Sequence, residues 1–381
     1  MNTQHLTSKI FLSAILLAGL FLYACKGEKE LKETSGKKVV IGYVPGFRGD
    51  LGDLKIDAKM LTHINYAFVD VKDSMAWLTN LATDTINFRK LNALKKDNPN
   101  LRIMISIGGW GWSENFSDAV LTPNSRKKFA ETSATIVEQN NLDGVDIDWE
   151  YPGFKGEDNV FRPEDRENFT LMFKALREAL DKLSAKTGRT YQLTTAVPEF
   201  TEFLAKTDMG KAVEYIDYIN LMLYDFNVSA DDTVGHHSNL YHSANFKGRA
   251  GHRGIAEYVA AGVPVQKLVM GIPFYGRSWI VKTIDNRGIN RAADSVVRAG
   301  GYTFIKDSLL QRPGFVRHWD DDAKAPYLFN EQTRQLVVYD DEESVKIKCE
   351  YVKENNLAGV MFWQYASDPK EYLLKTINEN L

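Results

Sequence analysis

Residues 143–152 read DGVDIDWEYP and set Asp146, Asp148 and Glu150 two positions apart. In an extended strand this spacing puts all three carboxyl groups on one face and Val145, Ile147 and Trp149 on the other. Like charges this close are costly unless some are protonated or hydrogen-bonded, and their repulsion raises the pKa of a member that must donate a proton near neutral pH. The pattern points to general acid–base chemistry. Oxygen-rich clusters also suit Mg²⁺ or Ca²⁺, but one straight strand offers poorly converging ligands and no strand end adds a histidine. No metal or organic cofactor is expected. Asp143 has the opposite parity and is expected to support the strand.

Such a ladder needs a scaffold that turns one strand face inward. Short apolar, β-branched or aromatic runs recur at residues 39–44, 61–71, 101–107, 142–150, 191–198, 215–224, 267–275 and 357–365. Helix-like stretches fall between them at 85–96, 125–139, 164–184, 255–261 and 343–354, with a last one at 370–380. The alternation predicts an α/β fold, a (β/α)8 TIM barrel. The apolar strand faces then pack under the helices while the acids rise inside toward the C-terminal mouth, Glu150 nearest to it. On the sixth run Tyr218, Asn220, Met222 and Tyr224 share one face, which sets Tyr224 toward the acids. Far more chain separates the seventh and eighth runs than any other pair. A small α+β insertion is therefore expected between strand 7 and helix 7, over 278–341, with residues 300–304 and 335–339 alternating like strands. The barrel takes 37–277 and 342–381.

The 381 residues are 44% hydrophobic and 12% aromatic, enough for a large core. Lys and Arg total 47 against 50 Asp and Glu, and the net charge of −3 gives no electrostatic case for nucleic acid. Behind Lys9, residues 10–24 form an apolar run too short to span comfortably a ~30 Å hydrocarbon core, which needs ~20 residues. Residues 1–24 read as a signal peptide. Leu22-Tyr23-Ala24-Cys25 resembles the lipobox of bacterial lipoproteins, with Tyr23 an unusual residue in it. Cys25 is expected to carry a lipid that holds the exported protein to a membrane of the bacterial cell envelope or surface, and the charged stretch 25–36 to form a flexible spacer. The other cysteine, Cys349, has helical spacing from Val345 and Val352 and is expected to be a buried small hydrophobe.

The motif DGVDIDWEYP is similar to the signature of family 18 glycoside hydrolases, the chitinases and their relatives. The resemblance continues through Gly42-Tyr43, Tyr66-Ala67-Phe68 and Ser106-Ile107-Gly108-Gly109-Trp110 on the first three strands. It extends through Asn220-Leu221-Met222-Leu223-Tyr224-Asp225, Gly271-Ile272-Pro273-Phe274-Tyr275-Gly276-Arg277 and Met361-Phe362-Trp363-Gln364 on the last three. The insertion resembles the chitinase insertion domain of the family's larger members.

The resemblance implies a monomeric chitinase that cleaves β-1,4 linkages between N-acetylglucosamine units of chitin or chito-oligosaccharides with retention. The substrate's own N-acetyl group attacks the anomeric carbon. Glu150 is then general acid and base, Asp148 orients the acetamido group, Asp146 shares a proton with Asp148, and Tyr224 hydrogen-bonds the acetamido carbonyl. Asp225 and Arg277 are implied subsite residues, Trp363 the floor beneath the distorted sugar, and Tyr43 and Phe68 the wall. Gly109, Trp110, Met222 and Tyr275 are further implied substrate-binding positions. Trp110 and Trp363 are expected to stack on sugar faces, and Trp112, Trp279 and Trp319 would extend that platform. No second glutamate stands at another strand end in a matching motif. Two other readings stay open: an endo-β-N-acetylglucosaminidase on N-glycans or other GlcNAc glycans, and an inactive chitin-binding lectin.

Overall fold

The computed structural model describes residues 37–52, 54–229, 233–244 and 248–381. The expected signal peptide, Cys25 and the spacer to residue 36 lie outside the described residues. Eight parallel strands occupy Val39–Pro45, His63–Lys72, Arg102–Gly108, Gly144–Asp148, Gln192–Pro198, Tyr218–Met222, Leu268–Pro273 and Gly359–Trp363. They pair in chain order, and the first pairs with both the second and the eighth, which closes a (β/α)8 barrel.

Alternation along each strand divides the residues between two packed regions. Val40, Ile64, Ile105, Leu193, Ile219, Ile272 and Val360 join one outer core with Phe129, Phe173 and Leu176 of the surrounding helices. Val145, Ile147 and Trp149 belong to the same core, where the Trp149 ring stacks on Phe116 at 5.3 Å. With those three facing out, Asp146 and Asp148 face in. Parallel register sets Asp146 level with Ser106 on the third strand and Thr194 on the fifth, so polar side chains from three strands share one interior layer. Asp143 accepts the Ile103 amide at 2.8 Å and pairs with Lys95 and Arg189, so it anchors the base of the fourth strand as expected. Cys349 is fully buried, and burial pushes its thiol up to about 12.

Between the seventh and eighth barrel strands lies a second, antiparallel sheet. Its order is Phe315–Asp320, Ala325–Asn330, Gln335–Val338, Tyr275–Val281, Arg291–Gly301 and Thr233–Val234. The last of these comes from the loop after the sixth barrel strand. Trp279, Val281, Tyr327, Phe329, Leu336 and Val338 form its core. Two expectations need correction. The seventh run ends at Pro273, and Tyr275 and Arg277 open the second sheet instead of continuing the barrel. Residues 300–304 form no single strand: Gly300 and Gly301 end one, and Tyr302–Phe304 is helical. The glycines explain the break, since Gly300 has φ +89 and a Cβ on Gly301 would stand 2.3 Å from the Ser367 carbonyl oxygen.

Candidate active site

The C-terminal mouth of the barrel opens into a cavity of about 850 Å³. Tyr43, Phe68, Trp110, Asp148, Glu150, Met222, Tyr224, Asp225, Tyr275, Arg277 and Trp363 all line it. Of the remaining expected residues, Asp146 sits below the lining and Gly109 behind it. Trp279 is buried in the second sheet, its indole donating to the Ser229 carbonyl, and it takes no part in a sugar platform. Trp319 also stands on that sheet, outside the lining; Trp112 does line the cavity.

Asp146 is held by four donors. The Tyr43 and Ser106 hydroxyls donate to its Oδ2 at 2.8 Å each, the Thr194 hydroxyl to Oδ1 at 2.6 Å and the Asn220 amide to Oδ1 at 3.2 Å. Burial raises the Asp146 carboxyl and these four bonds oppose the rise. Asp148 has no such shell. Its Oδ1 is buried without a hydrogen-bond partner among the described residues, and burial, then the Glu150 and Asp146 charges, lift its pKa well above the ordinary range. Among the described residues no hydrogen bond links Asp146 to Asp148, and the Glu150 charge raises Asp148 more than the Asp146 charge does.

Glu150 is partly exposed to the cavity. Burial pushes its carboxyl up to about 7, opposed by a bond from Tyr151 and aided by the charge of Asp225. Its backbone amide donates to the Ser113 hydroxyl at 2.9 Å, and that hydroxyl donates in turn to the carbonyls of Gly109 and Asp148. Ser113 thus clips the end of the fourth strand to the loop after the third. Gly109 serves the same junction: its amide donates to the Asp148 carbonyl at 2.7 Å, and a Cβ there would stand 2.5 Å from the Phe68 ring.

One side of the cavity is aromatic. Trp363 stacks on Phe68 at 5.5 Å and on Phe47 at 6.3 Å, nearly parallel to both, and Trp112 packs at 5.5 Å from Phe68. Such a surface offers apolar ring faces to the C–H faces of a sugar. Among the described residues, the Tyr224 hydroxyl has the Met361 sulfur, at 3.9 Å, as its one hydrogen-bond acceptor. Asp225 receives a two-pronged Arg277 guanidinium, Nε to Oδ1 at 2.8 Å and Nη2 to Oδ2 at 2.6 Å, and the buried His237 ring stands 3.6 Å away. Burial alone would raise Asp225, but His237 and Arg277 hold it well below the usual carboxylate range.

Sequence reasoning missed several residues of this cavity. Phe47, Tyr151, Phe200 and Arg249 line it from loops, where no periodicity marks them. Glu199 is a further acid of this cavity outside the strand-four ladder. It follows Pro198 at the end of the fifth strand, is 4% exposed, and pairs with Arg249 at 3.0 Å. Its position one residue past a strand end was the available signal.

Comparison with known proteins places this geometry. The chain is 32% identical over 442 residues to chitinase A1 of Niallia circulans, which covers 98% of this chain and 63% of that protein. It is 32% identical over 381 residues to chitinase B of Serratia marcescens, covering 82% of this chain and 74% of the relative. It thus spans less than two thirds of the first relative. Among solved structures, a glycoside hydrolase family 18 N-acetylglucosaminidase from Paenibacillus barengoltzii superposes with a TM-score of 0.84 at 38% identity, covering 90% of this chain and all of that one. The model of the glycosyl hydrolases family 18 matches residues 39–368. That match takes in every barrel strand and the whole acid ladder, and the chain belongs to glycosyl hydrolases family 18.

Proposed function

We propose that the protein hydrolyses β-1,4 linkages between N-acetylglucosamine units of chitin or chito-oligosaccharides, with retention and with the substrate's acetamido group as nucleophile. The observation that carries this reading is the pairing of a protonatable Glu150 with an orphan acceptor, Asp148 Oδ1, beside a stacked aromatic floor. The acetamido N–H fills that acceptor and Tyr224 donates to the acetamido carbonyl. The carbonyl oxygen bonds to the anomeric carbon as Glu150 gives its proton to the glycosidic oxygen and the glycosidic bond breaks. Asp148 stabilises the resulting oxazolinium cation. Glu150, now a carboxylate, takes a proton from water, whose oxygen bonds to the anomeric carbon and opens the ring. The segment after the seventh barrel strand acts as the family's insertion domain, walling the cleft with Tyr275 and Arg277. The leader and Cys25 make the protein an exported, lipid-anchored one of a bacterial envelope, a reading the sequence alone supports.

Mass spectrometry of products from chitotetraose, its fully deacetylated counterpart and a high-mannose glycopeptide tests this. Cleavage of chitotetraose alone, inhibited competitively by a thiazoline mimic of the cyclic intermediate, is expected. Efficient cleavage of the deacetylated tetramer would refute substrate assistance. Cleavage confined to the glycopeptide would establish the N-glycan reading, and binding without turnover the lectin.

A further inference from the structure

Buried Glu199 pairs with a solvent-accessible Arg249 in the wall of the active cavity, and the acid–base machinery does not use the pair. The site of the pair is rigid. The Tyr258 hydroxyl donates to the Pro198 carbonyl at 2.7 Å, and Gly254 lets the helix Gly251–Ala260 approach so closely that a Cβ there would stand 2.8 Å from the Glu199 Cβ. Arg249 is clamped as firmly. Its Nη2 donates to the Phe226 carbonyl at 2.8 Å and the Asp225 carbonyl at 3.3 Å, its Nη1 meets Glu199, and the guanidinium lies over Phe200 and Phe226 at 5.9 and 5.7 Å. A guanidinium fixed in this way presents a planar donor set in one orientation.

The pair stands across the mouth from the aromatic floor. Phe47, Phe68, Trp112 and Trp363 rise from the first, second, third and eighth barrel strands, whereas Glu199 and Phe200 follow the fifth and Arg249 belongs to the loop after the sixth. Glu150, at the end of the fourth, lies between the two sides. The chain runs on from Glu150 into Tyr151, whose ring meets Phe200 at 5.4 Å and Trp110 at 6.3 Å, so this wall begins where the proton donor ends. Glu199, Phe200 and Arg249 also border a second cavity of about 390 Å³ on their far side, which Glu202, His242 and Glu257 help to line.

We infer that Glu199 and Arg249 are a specificity-determining pair that reads the sugar on the leaving-group side of Glu150, one acceptor and one donor side by side binding two hydroxyls of the departing unit. This rests on the function proposed above. A carboxylate and a guanidinium 3.0 Å apart match neighbouring hydroxyls in spacing and in donor–acceptor character, and charge-assisted bonds to a carboxylate as little exposed as Glu199 discriminate against a ligand that cannot fill them. A leaving group without hydroxyls at that point leaves the pair as it is in the free enzyme.

The test compares kcat/KM for chitotetraose, which places sugars on both sides of Glu150, with kcat/KM for an aryl glycoside of diacetylchitobiose, whose leaving group is not a sugar. In Glu199→Gln, which keeps shape and loses charge, the ratio of the two is expected to fall by about tenfold, the scale of one charge-assisted hydrogen bond. Arg249→Lys, which keeps charge and loses the fork, should move the ratio in the same direction and serves alone if Glu199→Gln fails to fold. Equal losses on both substrates would assign the pair a structural role and overturn the subsite while leaving the function intact. Wild-type enzyme inert on both substrates would overturn the functional reading and the subsite with it.

Discussion

In the proposed mechanism Glu150 holds a proton when the substrate arrives and releases it during bond cleavage, which requires a pKa near the working pH. Burial supplies the shift, to about 7, and Asp225 adds to it. Because the acid acts in its protonated form, turnover is expected to fall as pH rises through about 7, a dependence that a pH profile of kcat reads directly. Glu150→Gln should fold and lose at least ~10² in rate, the low end of a general acid's contribution. Near-normal turnover in that variant would remove Glu150 from the mechanism. The ladder was legible because three acids on one strand announce their common face through spacing alone. Ser113, Glu199 and Arg249 were not: each reaches the site through a loop whose path depends on long-range packing. The Tyr43 hydroxyl on Asp146 likewise depends on how strands far apart in sequence close the barrel.

The end of the third barrel strand shows how one element positions another. Gly108 and Gly109 both adopt positive φ, and Gly109, at φ 90 and ψ 173, occupies backbone space that other residues rarely enter. A methyl group there meets the Phe68 ring of the second strand while the Gly109 amide holds the Asp148 carbonyl of the fourth. Gly109→Ala is therefore expected to cost about 1–3 kcal/mol of stability, the usual strain of such a conformation, and to lower turnover as well. A denaturation midpoint and turnover both equal to wild type would show that the junction tolerates the change. At this scale the barrel was readable from the eight apolar runs, since strands buried on both faces carry continuous hydrophobic residues. Residues 300–304 misled for a local reason: apolar and aromatic residues follow two glycines, and only the positive φ of Gly300 and the close approach of Gly301 to Ser367 show that the chain turns there.

Across the whole molecule, the active cavity is made where two sheets meet. Asp225 follows a barrel strand and Arg277 stands on the second sheet, so their two-pronged bond ties both sheets together at the cavity. Every lining residue falls between Tyr43 and Trp363. Turnover and the proposed attachment to a membrane are expected to be separable, because Cys25 precedes the first barrel strand and none of the lining residues belongs to the leader. Acyl chains anchor through buried methylene groups, and a serine offers no thiol for the linkage. Cys25→Ser should move the protein from the membrane to the soluble fraction on sedimentation, with turnover of soluble chito-oligosaccharides retained. Continued sedimentation with membranes would overturn the lipid anchor and assign attachment to an uncleaved apolar segment at residues 10–24.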